Sequence, residues 1–300
     1  TVEVSGSASA QIDAALDQDS FSLTQAAGPL SESTQVSILG PGESGTSCQS
    51  SAAANYGSLR VAVGAAAQGD PALLIAPNGN LGFGNAAATF EDYVTVVPPH
   101  AGLSGATGTA RVRVQIAGLV NADSGGALDS IASADYFVRV RFGPRSCIQL
   151  GIECADAITG SSHDGGSLGG GILYEGTLLP AGFETKPLPF RFDQPFVLGV
   201  DLGATVQADA DEEQVTTTAT ANLGNTVEWD GFVEVRDGGG SLVEDYSIES
   251  LTGTNWALPV PEPEHAGSAA IVTLAWIGAM ARARREDTAG LRAPPQAGAS

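Results

Sequence analysis

Ala110-Arg111-Val112-Arg113-Val114-Gln115-Ile116 puts each apolar side chain at an even position and each polar one at an odd position. A period of two belongs to a strand with one face buried and the other wet. Tyr136-Phe137-Val138-Arg139-Val140-Arg141-Phe142 keeps the same rhythm, and in both stretches the even positions are predicted to face inward. Phe196, Leu198, Val200 and Leu202 continue the pattern, and Val227, Trp229, Val233 and Val235 repeat it. Working outward, further strands are expected at Phe21–Gln25, Val36–Leu39, Leu59–Ala67, Thr89–Val97, Ile172–Leu178, Val215–Asn222 and Tyr246–Leu251.

Between these runs lie Gly40-Pro41-Gly42-Glu43, Pro77-Asn78-Gly79-Asn80 and Asp237-Gly238-Gly239-Gly240, compositions that favour tight reversals. No convincing amphipathic helix precedes Pro259. Many strands without intervening helices predict an all-β fold, an antiparallel two-sheet sandwich of jelly-roll type spanning residues 1–258. A chain of this length forms one such domain or two; a division would fall in the Gly-rich stretch from Ser161 to Gly171.

The formal charge is −21 and the isoelectric point about 4.2. Nine of the thirteen Lys and Arg residues, but thirty of the thirty-four Asp and Glu residues, precede residue 262. Such a body repels nucleic acid, which is excluded as a partner. Cys147 and Cys154 can close a small loop in an oxidising compartment, leaving Cys48 odd; the other pairings stay open. Three scattered thiols and three distant histidines have no metal-ligand spacing, so neither a metal nor another cofactor is expected.

Catalytic patterns are poor matches. Gly165-Gly166-Ser167-Leu168-Gly169 fits G-x-S-x-G but sits in a glycine tract without a strand-to-helix elbow, and His163-Asp164 are not made triad partners by proximity in sequence. Gly40 to Gly45 fits G-x-G-x-x-G with no helix after it, and reads as a turn. Asp209, Asp211, Glu212 and Glu213 lack the glycine and terminal glutamate of a calcium loop and read as a solvated acidic loop rather than a weak Ca²⁺ site, and the stretch from Asp123 to Asp129 poses the same choice. Arg111, Arg113, Arg139 and Arg141 would make a cationic patch if their strands were neighbours; pairing with cross-strand carboxylates is the plainer expectation. The chain is therefore not read as an enzyme.

The C-terminal stretch is built differently. Pro259, Pro261 and Pro263 enforce an extended spacer over 259–265. Ala266 to Ala281 then runs sixteen residues without a charge, carrying Ile271, Val272, Leu274, Trp276, Ile277 and Met280. As a helix rising about 1.5 Å per residue it reaches roughly 24 Å, short of a ~30 Å hydrocarbon core. Snorkelling of Arg282, Arg284 and Arg285 and local bilayer thinning would close the gap. The same arginines would stay cytoplasmic and leave residues 1–265 outside. Residues 282–300 form the basic stop and a polar tail.

The order Val260-Pro261-Glu262-Pro263, hydrophobic helix, arginine cluster resembles the PEP-CTERM sorting signal of bacterial surface proteins. The resemblance implies recognition of that motif by a membrane-embedded cysteine protease, an exosortase, with release of the body to the cell surface or matrix. Glu286 to Ser300 extends past the point where such signals usually end. Ala52-Ala53-Ala54-Asn55-Tyr56-Gly57-Ser58-Leu59 resembles a pattern of ectodomains carrying this signal, and Phe90-Glu91-Asp92-Tyr93-Val94-Thr95-Val96 leading into Thr109–Leu119 resembles one of their strand pairs. Thr1 is preceded by no leader pattern, so the chain reads as one already stripped of its signal peptide, or as a fragment.

Two functions are expected from these readings. The first is an exported structural or adhesive protein, held by its C-terminal helix and processed near the motif. The second is a carbohydrate-binding module of the matrix, meeting exopolysaccharide through aromatics such as Tyr174, Trp229 and Trp256, with core packing the alternative for Trp229, which falls in the inward register of its strand.

Overall fold

Alternation in the sequence becomes alternation in space. Ala110, Val112, Val114 and Ile116 are buried while Arg113 and Gln115 are exposed. The computed structural model describes residues 1–12, 15–26, 28–39, 45–69, 80–125, 130–149, 154–164, 177–178, 182–210, 215–223 and 227–260. Among these the strands are β1 (Val2–Ile12), β2 (Ala15–Gln25), β3 (Leu30–Leu39), β4 (Gly45–Asn55), β5 (Ser58–Gln68), β6 (Asn80–Val97), β7 (Thr107–Ile116), β8 (Leu119–Asp123) and β9 (Ile131–Phe142). A four-residue helix, α1 (Ser146–Gln149), separates β9 from β10 (Ala155–Asp164). There follow β11 (Thr177–Leu178), β12 (Phe183–Glu184), β13 (Leu188–Arg191), β14 (Phe196–Ala210), β15 (Thr216–Asn222), β16 (Val227–Asp237) and β17 (Ser247–Ser250).

They form two sheets with antiparallel pairing throughout, as expected of a sandwich. Sheet A runs β10-β9-β14-β6-β1-β2, with β17 beside the far end of β6. Sheet B places β3 and β4 on one edge of β5, and β15 and β16 on the other. β15 and β16 pair in turn with β8 and β7, and β11, β12 and β13 line the outer edge of those two. Thr1–Glu262 form one compact unit, and β9 pairs with β14 across the Gly-rich stretch at 161–171. Among the described residues no helix is long and apolar enough to cross a membrane. The Pro-rich spacer beyond Val260, the hydrophobic run with Ile271, Val272, Leu274, Trp276, Ile277 and Met280, and Arg282, Arg284 and Arg285 lie outside the described residues.

The core between the sheets changes along the strands. At one end it is made of small side chains: Ala8 and Ala10 of β1, Cys48 and Ala52 of β4, Ala65 and Ala67 of β5, Ala86 of β6, Ala204 and Ala208 of β14. The sheets approach so closely there that Ser50 Oγ donates to the carbonyl of Ser7 in the opposite sheet at 2.6 Å. A Cβ on Gly84 would stand 2.5 Å from Cys48 Sγ and 2.8 Å from Val63 Cγ1, which leaves glycine the only residue that fits. At the other end the filling is aromatic: Phe90, Phe142, Phe190, Phe192, Trp229, Phe232 and Trp256. Rings meet there at 4.9–5.8 Å between centroids, as in Phe90–Trp256, Phe142–Phe196 and Phe190–Phe196.

Two expectations are corrected. Val233 is exposed although parity with Trp229 predicts it inward; register shifts between Trp229 and Gly231 and again between Phe232 and Glu234 turn Phe232 inward instead. Phe90–Val96 and Thr109–Leu119 do not form a strand pair, because β6 belongs to sheet A and β7 to sheet B.

Candidate binding face and C-terminal clamp

The outer face of sheet A carries the most distinctive surface. Strand register sets its side chains in rows across the sheet. One row runs Thr159, Phe137, Gly203, Ala87, Ser5, Ser22 from β10 to β2. Its neighbours are Arg139, Asp201, Thr89, Glu3 on one side and Ser161, Asp135, Thr205, Asn85, Ser7, Ser20 on the other. Because Gly203, Ala87 and Ser5 of the middle row are so small, the face is hollowed. Two adjoining open depressions of about 290 and 650 Å³ share Ala87 and Phe137.

Glycine makes this relief. A Cβ on Gly203 would lie 2.3 Å from the Phe137 ring, so the ring lies close against the backbone of β14. The guanidinium carbon of Arg139 sits 5.2 Å from the centre of the same ring, in cation–π contact. Gly199 does for Arg141 what Gly203 does for Phe137, since its Cβ would fall 2.5 Å from the guanidinium carbon.

Arg141 keeps to the outer face of its strand, opposite Gly199, but not to solvent. Its odd position predicts solvent, yet it is fully buried. Nε donates to Asp201 Oδ2 at 3.1 Å, Nη1 to the Gly143 carbonyl at 3.0 Å, and Nη2 to Glu91 Oε1. Burial pulls its pKa down, but Asp201 and Glu91 outweigh that and raise it above the ordinary value, so the guanidinium stays charged. Arg145 closes the cluster from outside, 3.0 Å from Glu3 Oε2, 3.4 Å from Glu91 and 3.8 Å from Asp201. Thr89 Oγ1 donates to Asp201 Oδ1 at 3.0 Å. This network ties β1, β6, β9 and β14 together at one wall of the hollow, where Ile148 of α1 also reaches it.

The four-arginine patch does not exist. β7 and β9 lie in different sheets. Arg111 and Arg113 instead share Glu184 on β12, at 2.5 and 3.2 Å, the cross-strand pairing that was the plainer expectation.

A second constellation ends the body. Trp256 is fully buried, stacked on Phe90 at 5.2 Å and edge-on to Trp229 at 5.6 Å. Its Nε1 donates to Asp92 Oδ2 at 2.7 Å, and Trp229 Nε1 donates to the Trp256 carbonyl at 2.8 Å. Four residues on, Val260 N donates to the Trp229 carbonyl at 3.2 Å. Gly57, in the turn between β4 and β5, has φ +82° and would place a Cβ 2.5 Å from the Val260 side chain, so Val260 rests directly on that turn. Both tryptophans are therefore core, unable to stack on sugars from outside, which corrects the expectation for Trp229 and Trp256.

Of the remaining candidates, Cys154 is disulfide-bonded and Cys48 is a buried free thiol whose pKa burial pushes up to about 11. The Cys147 side chain, Tyr174, Ser167, Gly40–Glu43, Asp211–Glu213, Asp129 and Pro261-Glu262-Pro263 lie outside the described residues. His163 Nε2 is 3.4 Å from Asp135 Oδ1. Among the described residues no three His, Cys, Asp or Glu side chains are grouped to hold a metal.

No protein-family model matches the chain, and no curated protein is similar to it. Among solved structures the chain is similar to a carbohydrate-binding module from the beta-sandwich super family, studied for its promiscuous specificity. The two are 12% identical, the match covers 72% of this chain and 68% of that one, and the TM-score is 0.17. A superposition at that level carries no weight for function here.

Proposed function

We propose that this chain is an exported bacterial cell-surface or matrix protein whose β-sandwich is a structural or adhesive body and whose C-terminal stretch is a sorting signal. The observation that carries this reading is the clamp. Trp256 and Val260 fasten the chain to the body immediately before Pro261-Glu262-Pro263. A protease acting at that motif would remove the hydrophobic run without touching the fold. In this reading Val260, Pro261, Glu262 and Pro263 are the recognition element, Ala266–Ala281 tethers the chain in the membrane, and Arg282, Arg284 and Arg285 stop transfer. An exosortase-type protease is the processing partner.

Replacing Pro261, Glu262 and Pro263 together by alanine tests the proposal in the native host. The variant is expected to accumulate in the membrane fraction at full length. Release of the variant at the wild-type rate would contradict it. The hollowed outer face of sheet A favours a second reading on its own observation, in which the adhesive partner is carbohydrate.

A further inference from the structure

We infer that the outer face of sheet A is a binding groove for a neutral polysaccharide chain laid across the strands. The inference rests on the adhesive reading of the body and names its ligand class. The hollow runs along the middle row from Thr159 to Ser5 across five strands, which at about 4.8 Å per strand gives a trough of roughly 19 Å. That suits an extended polymer better than a compact metabolite. Its large aromatic group is the Phe137 ring, set over Gly203 with the Arg139 guanidinium 5.2 Å from its centre, and ring and guanidinium together offer the apolar contact and the hydroxyl-binding donors that a pyranose needs.

The flanks select the ligand by charge. Asp135 offers acceptors to sugar hydroxyls, while Ser5, Asn85 and Thr205 are uncharged donors and acceptors. Arg141 is already spent on Asp201 and Glu91, Arg145 on Glu3 and Glu91, and Arg139 lies over the Phe137 ring; with Glu3, Asp135 and Asp201 lining the groove against Arg139 and Arg145, it offers no net positive charge to carboxylate or sulfate groups. The body's acidity disfavours an anionic polymer further. A peptide strand would seek unpaired backbone at a sheet edge, whereas the inner strands of this face have their backbones paired on both sides.

Affinity electrophoresis of the full chain in gels containing mixed-linkage β-glucan, xylan, galactomannan or amylose tests the assignment, with alginate as the anionic comparison. Retardation by at least one neutral polymer, stronger than by alginate, is expected. Phe137→Ala should weaken it by about tenfold. Because that ring also covers Gly203, Thr205→Lys serves as the second variant: Thr205 is exposed on the neighbouring row, and its lysine should block the trough at unchanged melting temperature. No retardation in any neutral gel, stronger retardation in alginate, or equal retardation of the wild type and both variants would overturn the inference. None of those results touches the export reading, which stands or falls on processing at the C-terminus.

Discussion

Arg141→Met should be the most damaging single change on the outer face of sheet A. The guanidinium is fully buried and satisfies Asp201, Glu91 and the Gly143 carbonyl. Removing one member of a buried ion cluster leaves the others desolvated and unpaired, at a cost of about 3–5 kcal/mol. Two features place this case near the lower figure: the Glu91 side chain keeps 31% exposure, and Arg145 already lies 3.4 Å from it. For a domain of this size each kcal/mol lowers Tm by about 2–4 °C, so a fall of roughly 6–12 °C is expected in thermal denaturation followed by circular dichroism. Arg141→Met combined with Asp201→Leu should recover part of the loss, because it removes the stranded carboxylate together with its partner. A single variant that loses less than about 1 kcal/mol, as an exposed pair would, refutes the burial argument.

Three further outcomes are expected. Trp256→Ala should cost about 3–5 kcal/mol by urea denaturation, since it empties the space between Phe90 and Trp229 and takes one hydrogen-bond donor from the buried Asp92; an unchanged midpoint would mean that the clamp is not part of the folded body. Gly84→Ala should destabilise by about 1–3 kcal/mol through overpacking against Cys48 and Val63, with partial rescue by Cys48→Ala; full tolerance would show that the sheets are further apart at this end. Cys48 should resist a thiol reagent at pH 8 until denaturant is added, being buried with its pKa near 11; fast labelling of the native chain would contradict this.

Legibility in the sequence followed the size of the side chains. β7, β9 and β14 were readable because Val, Leu and Phe alternate there with residues that differ sharply from them. β1 alternates as strictly in burial, yet its inward residues between Val4 and Ile12 are Gly6, Ala8 and Ala10 set among serines, so hydropathy shows almost no period there. The Ser/Ala-rich β4 is hidden for the same reason. Trp229 was correctly expected inward, whereas Val233 was misplaced because a bulge at Gly231 has no fixed sequence sign. The binding face was not readable at all. Phe137 and Gly203 are far apart in sequence and meet only through the pairing of β9 with β14, and Arg141 is buried on the outer face because Gly199 makes room for it.

The central claim is tested most directly by intact-mass measurement of the protein recovered from the cell surface or matrix. The account predicts a mature species that retains Trp256 and Val260 and has lost the hydrophobic run from Ala266 to Ala281. A surface pool whose mass extends through Ser300 would contradict it.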